Sequence, residues 1–190
     1  MLLNIRASLF RERDRVSTAV PRILFVDPGL CGTGWAFFEA LNTRPERKTK
    51  TSSPKETGVL KIPASKYKDG WVQHVQCIAA SFRGILAAYK PEWVVLEQPE
   101  LWASSKSHAA TVSKNGEAGD IFKLTYLIGA MGLLVHQTIG KTPVLIFPRE
   151  WKGQLDKGVV IARIEGEIGI TPRDHEADAV GMGLAAQGRL

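Results

Sequence analysis

Cysteine is nearly absent from this sequence: Cys31 and Cys77 are the only two in 190 residues, and no CxxC pair occurs. That argues against a zinc module and against a disulfide framework, and it fits a reducing compartment. No apolar run approaches the roughly 18–20 residues that a membrane-spanning helix needs. At the N-terminus (MLLNIRASLFRERDRVSTAVP) the arginines follow a short apolar start instead of preceding it, which makes a poor secretory signal. A soluble cytoplasmic protein is therefore the expectation. Acidic charge is also in deficit, with 19 Asp+Glu against 25 Lys+Arg and a formal net charge of +6. A basic surplus points to an acidic partner, usually nucleic acid, although many basic proteins bind none.

What is present suffices for one core. The chain is 44% hydrophobic, and no internal repeat or second core is visible. Residues 1–21 form a basic leader, read either as a mobile or surface-packed segment or as an arm touching phosphates. Residues 22–190 then read as one domain. Ile23-Leu24-Phe25-Val26 is a short apolar run stopped by Asp27-Pro28-Gly29, a buried strand and a turn. Thr33 to Glu39 (TGWAFFE) pairs back on it as a hairpin, residues 42–56 are a polar, proline-broken loop, and Thr57 to Ile62 is a third short strand. Trp71 to Tyr89 has apolar residues at helical spacing and ends before Pro91. Trp93 to Leu96 is a buried strand, Ile121 to Ile139 a helix, Val144 to Phe147 a strand, and Lys157 to Ile168 and Asp174 to Gln187 are closing helices. Hairpin strands followed by alternating helices and strands predict an α/β fold, a mixed five-stranded sheet flanked by helices.

Two acids follow fully apolar strands: Asp27 after ILFV and Glu97 after WVVL. Strand ends in open α/β sheets are where ligands bind, and a carboxylate there is costly to desolvate without a compensating positive charge. A divalent metal supplies one, since hard oxygen ligands suit Mg²⁺. Taken singly, each has an ordinary reading, Asp27 as a turn residue and Glu97 as a solvated one. Near the C-terminus, Thr171-Pro172-Arg173-Asp174 reads as a helix start with Thr171 as cap, and Asp174 as a capping acid. His175 and Asp178 then share one helix face. Ala177, Ala179, Gly181, Gly183, Ala185 and Ala186 keep that helix slim enough to approach a sheet and bring Asp178 to the strand ends. For His175 alone, a capping or surface role explains the residue as well as ligation does.

These segments together resemble the RuvC family of Holliday junction resolvases, nucleases of the RNase H-like superfamily. ILFVDPGLCGTGWAFFE is similar to the family's first motif, VVLEQPELW to its second, and DHEADAVGMGLAA to its last, in the family's order across roughly Arg22 to Gln187. Many members carry aspartate where this chain has His175, and some carry histidine. The resemblance implies an RNase H-like fold and a catalytic, metal-binding set of Asp27, Glu97, His175 and Asp178. It implies two Mg²⁺ ions per site, with Mn²⁺ substituting, and two-metal phosphodiester hydrolysis. It further implies a homodimer making paired nicks in four-way DNA, and allows a bacteriophage origin.

Other positions follow from the same resemblance. Lys152 and Lys157 stand where the family places basic residues near the scissile phosphate, and ordinary surface lysines are an equal reading. Trp102 stands near the family's junction-inserting aromatic, and core or dimer-interface roles are open alternatives. Lys106 and Lys114 lie in a hydroxyl- and lysine-rich stretch (SSKSHAATVSK) suited to a phosphate backbone. Rival readings are a less selective nuclease on branched DNA or RNA–DNA hybrids, and a binding module with an idle site. A phosphate-binding hairpin of a sugar kinase or actin-like ATPase is a third, but those folds need two such domains and this chain is too short.

Overall fold

The computed structural model describes residues 21–39, 53–62, 70–99 and 117–190. The leader at 1–20, the 40–52 loop and the segment carrying Trp102, Lys106 and Lys114 lie outside the described residues. In chain order the elements are β1 Ile23–Asp27, β2 Thr33–Phe38, β3 Glu56–Leu60, α1 Trp71–Tyr89, β4 Trp93–Glu97, α2 Glu117–Ile139, β5 Val144–Ile146, α3 Pro148–Trp151, α4 Lys157–Ile168 and α5 Asp174–Ala186. The strands form one five-stranded sheet in the order β3-β2-β1-β4-β5. β1, β2 and β3 are antiparallel neighbours, whereas β4 pairs parallel with both β1 and β5. The expected mixed α/β sheet is therefore present, flanked by helices on both faces.

Because side chains alternate along a strand, β1 feeds two cores. Leu24 and Val26 join Val94 and Leu96 under α1 and α2, which contribute Val75, Ile78, Phe82, Leu127 and Met131 among others. Ile23 and Phe25 join Val95, Ile146 and the small residues of α5 on the opposite face. Both faces of the central strands are buried, which is why ILFV and WVVL read as continuous apolar runs.

Helix α5 carries its ten buried residues without a break from Ala177 to Ala186. It lies so close to the sheet that a Cβ on Gly34 of β2 would sit 2.0 Å from the His175 carbonyl oxygen, and one on Gly183 would sit 2.2 Å from the Phe38 ring. The slim helix expected from the alanine and glycine run is realised by these contacts. α1 ends at Lys90, whose backbone is left-handed (φ 45°) immediately before Pro91. Among the described residues no helix is long and apolar enough to cross a membrane.

Several boundaries differ from the sequence expectation. α2 starts at Glu117, β3 runs Glu56–Leu60, and the short α3 was not anticipated. Pro148 opens α3, whose Glu150 accepts a hydrogen bond from the Phe147 backbone N–H at 2.7 Å. The cap of α5 is also corrected. Arg173, not Thr171, is the capping position, and Glu176 accepts from its backbone N–H at 3.1 Å. Thr171 instead donates to Glu165 at 2.8 Å, and Asp174 pairs with Lys157. With its hydroxyl used across to α4, Thr171 leaves the helix start to Glu176.

Candidate active site

The parallel register of β1 and β4 sets Val26 beside Leu96. One residue further along, Asp27 and Glu97 therefore stand level on neighbouring strands, roughly 4.8 Å apart in the hydrogen-bonding direction. By alternation both belong to the face of Phe25 and Val95, the face covered by α5. Helix α5 brings its first turns to the same place. His175 Nδ1 lies 2.6 Å from Asp27 Oδ2, and the Asp178 side chain reaches the same end of the sheet. Asp27 and Asp178 are only 8% and 6% exposed, so both carboxylates are held largely out of water.

The turn between β1 and β2 roofs the imidazole. A Cβ on Gly29 would lie 2.8 Å from His175 Cε1, so glycine at that position makes the slot for the ring, and a Cβ on Gly32 would be in ordinary contact with the same imidazole. The buried Thr33 hydroxyl locks this turn, accepting from Gly29 N–H at 3.3 Å and donating to Gly29 O at 3.1 Å. On the other side of the turn the buried His74 bonds through Nε2 to the Leu30 carbonyl at 2.6 Å.

Cations from the end of α3 and the start of α4 close the cluster. Lys157 Nζ lies 2.9 Å from Asp178 Oδ2 and also pairs with Asp174, while Lys152 Nζ lies 3.4 Å from Asp178 Oδ1. Trp151, buried to 5% exposure, donates its indole N–H to Glu97 Oε2 at 2.8 Å. Burial pushes the Glu97 carboxyl up to about 7, with the negative charge of Asp27 adding to the rise and Lys152 opposing it. Burial also raises Asp27, against the hydrogen bond and charge of His175. The hydrogen bond to Asp27 raises His175 in turn. Burial alone would lower Lys157, but its hydrogen bonds to Asp174 and Asp178 outweigh that and raise it, and the Lys157 contact holds Asp174 below the usual carboxylate range.

Three buried or half-buried carboxylates at one sheet end form a hard-oxygen donor set in need of positive charge, and the residues present fit a divalent cation. Among the described residues, however, no three or more His, Cys, Asp or Glu side chains are placed so that they could hold a metal ion together. Lys152 and Lys157 pair with Asp178, and His175 with Asp27.

The sequence-derived quartet of Asp27, Glu97, His175 and Asp178 is thus brought together, with Lys152 and Lys157 at its edge. Trp102, Lys106 and Lys114 are not described. Sequence reasoning missed Trp151 and misjudged Asp174. Trp151 had one available signal, a tryptophan directly before Lys152 in the segment that carries the basic site candidates. Its bond to Glu97 spans 54 positions and has no local signature.

Sheet order, strand directions and helix placement define an RNase H-like α/β fold. The particular likeness is to RuvC resolvases. Thermus thermophilus RuvC aligns with a TM-score of 0.60 at 20% identity, over 86% of this chain and 92% of that one. The same organism's RuvC in complex with Holliday junction substrate aligns with a TM-score of 0.63 at 20% identity, over 87% and 92%. The yeast mitochondrial Holliday junction resolvase aligns with a TM-score of 0.52 at 14% identity, over 92% and 80%. No protein-family model matches the chain, and no curated protein matches it by sequence. The likeness therefore rests on the fold.

Proposed function

We propose that this chain is a metal-dependent DNA endonuclease of the RuvC type, a homodimer that resolves four-way junctions by paired nicks. The observation that carries the reading is the convergence of Asp27 and Glu97, from adjacent parallel strands, with His175 and Asp178 on a helix pressed against them. The neighbouring folds belong to Holliday junction resolvases, one of them in complex with that substrate, which supports the choice of branched DNA.

Asp27, Glu97, Asp178 and His175 would hold Mg²⁺, two ions per site, with Mn²⁺ as a substitute. When bound, such ions polarise a phosphodiester and lower the pKa of an attacking water. The chain's own groups do the rest. Lys152 and Lys157, turned to Asp178 in this structure, would release it and meet the scissile phosphate as charge-assisted donors. His175 keeps a proton at Nδ1 for Asp27 or gives it up, because imidazole titrates near neutrality. The roofing turn and α5 keep bulk water from the carboxylates. Trp102 would stack in the junction centre, and Lys106 and Lys114 would contact the backbone.

The test is cleavage of a synthetic four-way junction with Mg²⁺ or Mn²⁺. Symmetric paired nicks, abolished in Asp178→Asn while junction binding persists, are expected. A hybrid and a flap run in parallel separate a junction-selective enzyme from a broader nuclease. Inactivity on every branched substrate would overturn the reading.

A further inference from the structure

Glu97 receives a single side-chain hydrogen bond among the described residues, from the Trp151 indole to Oε2, and none of those residues donates to Oε1. That indole is built in, not lent from the surface. Trp151 is 5% exposed and closes the four-residue helix α3. Its ring enters a slot made by the absence of a side chain on α5: a Cβ on Gly181 would lie 2.6 Å from Trp151 Cζ3. The ring carries a second contact. Lys152 Nζ lies 4.9 Å from the centroid of the Trp151 ring and 3.4 Å from Asp178 Oδ1. One aromatic side chain therefore touches the Glu97 carboxylate, the lysine that pairs with Asp178, and the helix that carries Asp178.

We infer that Trp151 is a positioning residue, fixing one oxygen of Glu97 so that the other faces the reaction site, while its ring guides Lys152 toward Asp178. Outer partners of ligating carboxylates act in this way, and their loss typically costs about 10–100-fold in metal affinity or activity. The inference rests on the proposed nuclease reading for its functional consequence, but its geometric content is independent of that reading. Packing alone would be satisfied by any large ring in the Gly181 slot. Only a positioning role requires the N–H.

Trp151→Phe keeps an aromatic side chain but removes the donor together with the outer part of the ring that fills the Gly181 slot, so the Glu97→Gln background, where the carboxylate is already gone, separates the donor's share from the packing share. In the full-length protein we expect kcat for junction cleavage to fall about tenfold or more while KM stays within about twofold. Calorimetric Mg²⁺ affinity should weaken by about tenfold in the wild-type background and change little in Glu97→Gln. The Trp151 indole N–H signal in a ¹⁵N-labelled sample, assigned by its loss in Trp151→Phe, should shift in Glu97→Gln while the other indole signals stay in place. Wild-type kcat and Mg²⁺ affinity in Trp151→Phe would overturn the inference, as would an indole signal indifferent to Glu97→Gln. A rise in KM alone would also overturn it, placing Trp151 on the DNA. If wild type cleaves no junction but the indole and Mg²⁺ results hold, the positioning role stands and the nuclease reading falls.

Discussion

Glu97 illustrates how a site residue is maintained against its own solvation. Its carboxyl titrates near 7 in the folded protein because it is buried, and next because Asp27 stands beside it, against an ordinary value of 4.5. A raised acid pKa means the folded state binds the proton more tightly than the unfolded chain. The associated stability is fully present below about 4.5 and is lost as pH rises through about 7. Raised pKa values at Asp27 and His175 act in the same sense, while the lowered Asp174 acts only at more acid pH. Metal-free protein should therefore melt at lower temperature at pH 8 than at pH 6, with Glu97 contributing about 1 kcal/mol of the difference. In Glu97→Gln, melting in EDTA should depend less on pH and exceed wild type at pH 8. Parallel pH dependences in the two proteins would contradict this account.

At the scale of elements, the site depends on how nearly α5 lies on β2. The Gly34 Cβ would meet backbone atoms of His175 at 2.0 and 2.2 Å, and backbone cannot rotate out of the way. Gly34→Ala should therefore cost about 3 kcal/mol or more by forcing α5 off the sheet, with His175 displaced from Asp27. Gly84 offers the contrast. It is an exposed position of α1 where a Cβ would meet nothing within 4 Å, so Gly84→Ala should stabilise by about 0.5–1 kcal/mol. Urea midpoints of the two variants, moving in opposite directions, provide the check. The same contrast shows what sequence reading can reach. Apolar runs ending in Asp27 and Glu97, and the run of small residues in α5, are local composition signals bounded by turn and cap residues, and they were legible. The start of α5 was not, because Thr171 is a good cap in isolation and is diverted by Glu165 on another helix. Trp151 and Asp174 acquire their roles from α4, α5 and β4 at once, and no spacing rule encodes a contact across 54 positions.

At the scale of the molecule, one sheet end carries one cluster of carboxylates, whereas a four-way junction needs two strands cut. Under the proposed reading a two-fold dimer supplies the second site, matching its symmetry to that of the junction. A dimer in which one protomer carries Asp178→Asn then has one working site. Co-expressing wild-type and Asp178→Asn chains with different affinity tags, and purifying on both in sequence, isolates this mixed species. On a cruciform plasmid it should give nicked circles almost without linear product, while wild type gives linear product, since both cuts fall within one bound complex. Binding should weaken steeply with salt for both, because phosphate contacts release counterions. Lys152→Gln and Lys157→Gln should each flatten that dependence by about one unit of slope if the two lysines leave Asp178 for the DNA. Linear product from the mixed dimer at wild-type yield would mean that the two nicks come from independent encounters. The two-fold account of resolution would then fail even with the active site correctly assigned.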